Sequence, residues 1–292
     1  MMKATSLGGA GVHVFILCSD FGLYLSYLNR PLGYKDFLKR KFGRVYWPMA
    51  IACLYTACWM LYQGKEVLMP LLGNLLLFKM FVPELESSMG GQMWFISTII
   101  QFYFAWPLIL KLINIKRGGY WIALGITLLC STIVGLSGYS EERMWNSFFL
   151  QYLWEFCLGM KLAEMYIKNP SALNVPKWKW LLPVCLISLA LTGVMGWAGF
   201  PWRLYNDIPS LFGYASLALI IYKIGFTPIN RFFSYTNRFS YEWYLLHILV
   251  FQIVWHLMDD KLCAVVEMAI CLLLSYVLAI FYAKLFVRKS NK

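Results

Sequence analysis

Four cations crowd into six residues of the stretch Phe37-Leu-Lys-Arg-Lys-Phe-Gly-Arg-Val-Tyr-Trp-Pro48: Lys39, Arg40, Lys41 and Arg44. Guanidinium forks grip phosphate oxygens in pairs and an ammonium group adds point charge, so such a cluster suits a polyanionic ligand. At the foot of an apolar run, the same cluster also orients a membrane helix and meets anionic lipid. On the residues alone both readings stand. Asp20 and Glu155 each fall inside long apolar runs. There a carboxylate costs roughly 2.5–3.5 kcal/mol on insertion scales, so each should be protonated, paired or facing water. Asp20 is a candidate proton acceptor or substrate ligand, against the plainer reading of a neutral acid bonded to a neighbouring helix. His13 and His247 are the candidate bases, although a lone His more often bonds a carbonyl. His247 is the better placed, with Tyr244 and Ser240 at i−3 and i−7 on its helix face. Arg143, Arg203, Glu141, Glu142 and Asp207 read as external charges that solvent covers or a sugar meets. His256 reads as an interfacial, solvated side chain. No Ser/His/Asp spacing, phosphate-binding Gly loop or His-rich metal pattern is present.

The elements that must position these groups are membrane helices. Of the 292 residues 60% are hydrophobic and 14% charged, against about a quarter charged in soluble domains. The expected fold is all-α: a single domain over 1–292, a polytopic transmembrane bundle. Spans of roughly 17–25 apolar residues are read near 11–28, 45–62, 93–113, 119–138, 147–166, 180–197, 209–226, 241–257 and 262–284. That makes about nine. The run 67–82, interrupted by Pro70, Gly73, Asn74 and Lys79, is read as a short re-entrant or interfacial segment. The net charge of +12 sits in short loops, which makes it topology information rather than a nucleic-acid footprint.

With the first span running outside to inside, 20 Lys and Arg lie on the inside and six on the outside. The C-terminus is therefore expected in the cytoplasm, in a bacterial inner or plasma membrane. No cleavable leader is read in Met1–Gly11, and one further upstream helix would resolve an external N-terminus. None of the eight cysteines forms a Cys-x-x-Cys pair, so neither a metal site nor a disulfide framework is expected. The loop Pro83–Gly91, with two carboxylates and Gly-Gly, reads either as plain linker or as a contact for a polar external substrate.

Four segments carry a family resemblance. Gly11-Val12-His13-Val14-Phe15-Ile16-Leu17-Cys18-Ser19-Asp20-Phe21 resembles the second helix of the acyltransferase-3 family of integral-membrane acyltransferases, where an apolar run leads to Ser-Gly-Phe. Lys41 and Arg44, followed by Tyr46 and Pro48, resemble its cytoplasmic Arg-x-x-Arg motif. Met93-Trp94-Phe95-Ile96-Ser97 with Gln101-Phe102-Tyr103 and Pro107 resembles its Leu-Trp-Phe-x-Ser…Gln-Phe-Tyr…Pro helix. Ser240-Tyr241-Glu242-Trp243-Tyr244-Leu245-Leu246-His247 resembles its late Ser-Tyr-x-x-Tyr-Leu-x-His helix.

The resemblance implies an O-acyltransferase that moves an acyl group, usually acetyl, from cytosolic acyl-CoA to a hydroxyl of a cell-surface or lipid-linked carbohydrate. No metal is implied. The implied donor site is Arg40, Lys41, Arg44 and Tyr46. The implied substrate contacts are Trp94, Gln101, Tyr103, Ser19 and Tyr244, and His247, Asp20 and His13 are the catalytic candidates. Its partners would be acyl-CoA, a carbohydrate acceptor and the bilayer, with no nucleic acid. Two departures stand out: Asp20 replaces the family's usual Gly, and the family's first helix, with its Arg and His, has no counterpart. The chain is accordingly expected to be catalytically incomplete. The competing reading is a non-catalytic membrane protein, either a degenerate relative or a transporter of a glycan precursor.

Overall fold

The computed structural model describes residues 11–115, 118–258 and 263–286. Lys3, Lys116, Arg117, Lys261, Arg288, Lys289 and Lys292, counted in the charge balance, lie outside them, as does the leader reading over Met1–Ala10. Among the described residues the chain is helical and has no strand. Its main helices are α1 (Gly11–Asn29), α2 (Tyr34–Tyr62), α3 (Leu68–Leu75), α4 (Trp94–Ile113), α5 (Gly119–Ser137), α6 (Leu153–Lys168), α7 (Trp178–Ala198), α8 (Asp207–Ile224), α9 (Thr227–Thr236), α10 (Ser240–Met258) and α11 (Ala264–Lys284). Seven are long and apolar enough to cross a membrane: α1, α2, α4, α5, α7, α8 and α11. Large aliphatic side chains point outward from them, with Leu108 and Leu186 each 68% exposed. In water that surface would be unsupportable; in lipid it faces its own solvent.

Two of the nine expected spans differ. The run 147–166 is not one helix, because Ser147 and Phe148 break it, Phe149–Tyr152 forms a 3-10 turn, and α6 begins only at Leu153 with 16 residues. Helix α10 has the length, but Glu242, His247, Gln252 and His256 dilute its apolar character. The interrupted run 67–82 is the eight-residue α3 followed by a 3-10 turn at Lys79–Phe81.

The chain forms two compact units. The first comprises residues up to Phe37 and Gln101–Phe226. In it α1 and α6 run parallel and nearly touch. A Cβ on Gly159 would lie 2.6 Å from the Leu17 carbonyl oxygen and 3.1 Å from Asp20 Cβ. Only glycine permits that approach. Hydrogen bonds join α5 to the 3-10 turn that precedes α6: Thr127 Oγ1 donates to Leu150 O at 2.8 Å, and Ser131 Oγ to Gln151 Oε1 at 2.6 Å.

The second unit comprises Leu38–Ile100 and Thr227 onward. Its core joins Met49, Ala52, Cys53, Ile96, Ile100 and Leu245. Tyrosine hydroxyls stitch its helices, Tyr241 to Val45 O at 2.7 Å and Tyr282 to Pro48 O at 2.5 Å. A buried hydroxyl in lipid must find such a carbonyl, since water is absent.

Candidate active site

In the first unit, His13 and Glu155 meet. The Nδ1–H of His13, in the first turn of α1, donates to Glu155 Oε1 at 2.7 Å. The Glu155 side chain is fully buried and that of His13 is 12% exposed. Glu155 lies in the first turn of α6, and Asp207 opens α8. At both places the unpaired N–H groups of the helix start favour a carboxylate. Trp154 Nε1–H donates to Asp207 Oδ2 at 2.7 Å, and the Tyr152 ring stands 5.8 Å from the imidazole. Asp20 lies two turns along α1 from His13 and is 2% exposed. Asp20 faces α6 one turn beyond Glu155, its Cβ 3.1 Å from where a Cβ on Gly159 would lie. Among the described residues, Asp20 Oδ2 and Glu155 Oε2 are buried acceptors with no hydrogen-bond partner. Native structures leave few such atoms bare, and each is a place for a ligand's donors.

A carboxylate that holds Nδ1–H fixes the tautomer and turns Nε2 outward as a base. Of the two histidines, the one rated the weaker candidate from sequence thus has the carboxylate partner. Asp207 is a correction too: it is 7% exposed, not a solvated loop charge.

The second unit carries the basic motif. It lies within α2 rather than in a loop, because Pro31 closes α1 and α2 already begins at Tyr34, with Asp36 in its first turn. At 3.6 residues per turn, Arg40, Lys41 and Arg44 share one face and Lys39 points elsewhere. Arg40 and Arg44 are exposed and Lys41 half-buried. One residue further on, Val45 O accepts the Tyr241 hydroxyl. Tyr46 is committed to Leu75 O at 3.0 Å.

On α10, the Nδ1–H of His247 donates to Tyr244 O at 2.8 Å, and Tyr244 Oη donates to Gln92 O. Gln92 follows a loop clamped by Lys79, which is 2% exposed. Its ammonium donates to Ser88 O at 2.5 Å and Gly90 O at 2.8 Å. Met89 and Gly90 adopt positive φ to present those carbonyls. Lys79, read from sequence as an interruption, is therefore a clamp. His256 is exposed and lies edge-on to Trp59, ring centroids 5.3 Å apart.

The expected site residues divide between the units. His13, Ser19, Asp20, Gln101 and Tyr103 lie in the first; Arg40, Lys41, Arg44, Tyr46, Trp94, Tyr244 and His247 lie in the second. The structure pairs His13 with Glu155, sets Asp20 against α6 at Gly159, and ties Asp207 to Trp154, the neighbour of Glu155. Gln101 Oε1 accepts Phe149 N–H at 3.1 Å, and Tyr103 packs edge-on to Phe37. The cysteines are free thiols. Among the described residues no group of three His, Cys, Asp or Glu side chains could hold a metal ion.

A family model described as an acyltransferase domain matches residues 1–284. Neither the curated proteins nor the solved structures contain a match.

Proposed function

Since the chain belongs to the acyltransferase-3 family, a family of membrane acyltransferases, we propose that it transfers an acetyl group from acyl-CoA to a hydroxyl of a cell-surface or lipid-linked carbohydrate. The observation that carries this reading is the buried His13–Glu155 pair. Transfer to an alcohol needs a base for the hydroxyl proton, and a carboxylate-held imidazole is suited to it.

In this reading His13 Nε2 accepts the proton as the hydroxyl oxygen attacks the thioester carbonyl carbon. The C–S bond then breaks, and the imidazolium returns the proton to the departing thiolate. Glu155 Oε1 holds Nδ1–H throughout and stabilises the imidazolium. The bare acceptors Glu155 Oε2 and Asp20 Oδ2 suit an acceptor with several neighbouring O–H donors, as a sugar has. The face of Arg40, Lys41 and Arg44 suits the phosphates of coenzyme A, with Lys41 supplying charge but no bidentate fork. In this reading that face and the C-terminus lie in the cytoplasm, which the bias of Lys and Arg along the sequence supports.

A second candidate base is His247, which shares a unit with the basic face and whose Nδ1 is engaged by Tyr244 O. The test is transfer from labelled acetyl-CoA to glycan by the purified chain in lipid, with His13→Ala and His247→Ala beside the parent. Loss of about 10²–10⁴-fold in His13→Ala alone is the expected result. Loss confined to His247→Ala would move the base to α10. No transfer by the parent would favour the expectation of a catalytically incomplete chain or the non-catalytic reading.

A further inference from the structure

Helix α9 does not fit the reaction and does not fit a core. It has ten residues, Thr227–Thr236, about 15 Å of helix, half of what the hydrocarbon layer requires. Only Gly225 and Phe226 separate it from the end of α8, and α10 begins at Ser240. Thr236 is its one buried residue. Two contacts with α11 tether it: Thr236 Oγ1 bonds Tyr276 Oη at 3.0 Å, and Phe232 stacks on the same ring at 5.9 Å.

At 100° per residue, Ile229, Phe232, Phe233 and Thr236 fall on one side. Thr227, Asn230, Arg231 and Ser234 fall on the other. The apolar side is nonetheless open: Phe226 is 55% exposed, Ile229 41%, Phe232 48% and Phe233 53%. Arg238, just beyond the helix, holds its guanidinium 5.9 Å from the Tyr235 ring. From Ile208 to Tyr241 the chain has no acidic residue and three cations, Lys223, Arg231 and Arg238.

A short helix with one aromatic face, an arginine on the other and no acid of its own, the next being Glu242 in the first turn of α10, matches a bilayer boundary rich in negative headgroups. We propose that α9 lies in the plane of the membrane surface, with Ile229, Phe232 and Phe233 sunk among the acyl chains and Arg231 and Arg238 bound to the phosphates of anionic phospholipid. A peptide or protein partner would need acids to meet these arginines and would have to displace lipid from the aromatic face. The bilayer is already present at the ends of the adjoining helices.

The test places a spin label on single cysteines, Phe233→Cys or Ser234→Cys, in full-length protein whose exposed Cys18, Cys58 and Cys263 are changed to Ser. Each variant is reconstituted in phosphatidylcholine alone or with phosphatidylglycerol. The label at 233 should be reached by oxygen and shielded from a water-soluble nickel chelate, and the label at 234 should show the reverse. Adding phosphatidylglycerol should deepen the label at 233, raising its oxygen-to-nickel accessibility ratio about twofold or more. The Arg231→Gln, Arg238→Gln pair should abolish that rise. Equal water access at both positions, or shielding of both from both quenchers by a second copy or a partner, would overturn the proposal. A depth at 233 indifferent to phosphatidylglycerol would overturn its anionic-lipid part. The readout is local, so the other basic loops do not confuse it.

Discussion

Gly159→Ala tests whether the α1–α6 contact builds the site. The added Cβ would sit 2.6 Å from the Leu17 carbonyl oxygen, whereas ordinary contact starts at 3.4 Å. The obstacle is backbone, so α1 must retreat by about 0.8 Å because no rotamer can absorb the overlap. The His13–Glu155 bond, 2.7 Å long and one turn away, would stretch to about 3.5 Å, where hydrogen bonding ends. Overpacking of this kind costs about 1–3 kcal/mol, a fivefold to more than hundredfold fall in the folding constant. Losing a charge-assisted bond of about 1.5–3 kcal/mol should slow acyl transfer by about tenfold to a hundredfold. Intrinsic tryptophan fluorescence follows unfolding in lipid nanodiscs, and labelled acetyl-CoA follows transfer. Gly125→Ala is the control, since its Cβ meets nothing within 4 Å and helix propensity favours it by about 1 kcal/mol. If Gly159→Ala matches Gly125→Ala in both stability and rate, the close crossing does not hold the pair together.

Replacing Lys41 and Arg44 together by Ala should weaken acetyl-CoA binding and flatten its salt dependence; titration calorimetry giving an unchanged Kd would reduce the cluster to a topology signal. Asp20→Gly should fold at least as well as the parent, because removing a bare buried acceptor relieves about 1–3 kcal/mol against about 1 kcal/mol of helix propensity. A clear fall in folded yield would mean that Asp20 has a stabilising role. Lys79→Met should free the loop Ser87–Gln92 by deleting two charge-assisted bonds of about 1.5–3 kcal/mol each; amide exchange at Gly90 and Gly91 no faster than in the parent would refute the clamp.

The helical architecture was legible because apolar runs longer than a bilayer needs leave the backbone little alternative. The basic face was legible as a motif, though not as one side of a helix, since its apolar neighbours fit either reading. The 147–166 run misled because buried irregular chain is as apolar as a span; Asn146-Ser147 was the available signal for a break. That misplacement put Glu155 in mid-span instead of a first turn. The pairing with His13 was not readable, because 142 residues separate the two and hydrophobic periodicity does not encode partners. Lys79 misled for a related reason: its partners are main-chain carbonyls, which depend on the positive φ of Met89 and Gly90 and on no side-chain type.

The same separation has a consequence for biosynthesis. Ribosomes add about 5–20 residues per second, so Glu155 emerges roughly 7–28 s after His13, given the 142 residues between them. Through that interval α1 must persist without α6, carrying both His13 and Asp20 into or beside the lipid. A carboxylate at the helix centre resists insertion by about 2.5–3.5 kcal/mol, and α1 offsets it with Val12, Val14, Phe15, Ile16 and Leu17 on one side and Leu23, Tyr24 and Leu25 on the other. Polar substitutions among those residues would therefore act first on α1's entry into the membrane, as lost yield and degraded nascent chain, before any mature protein exists to be assayed.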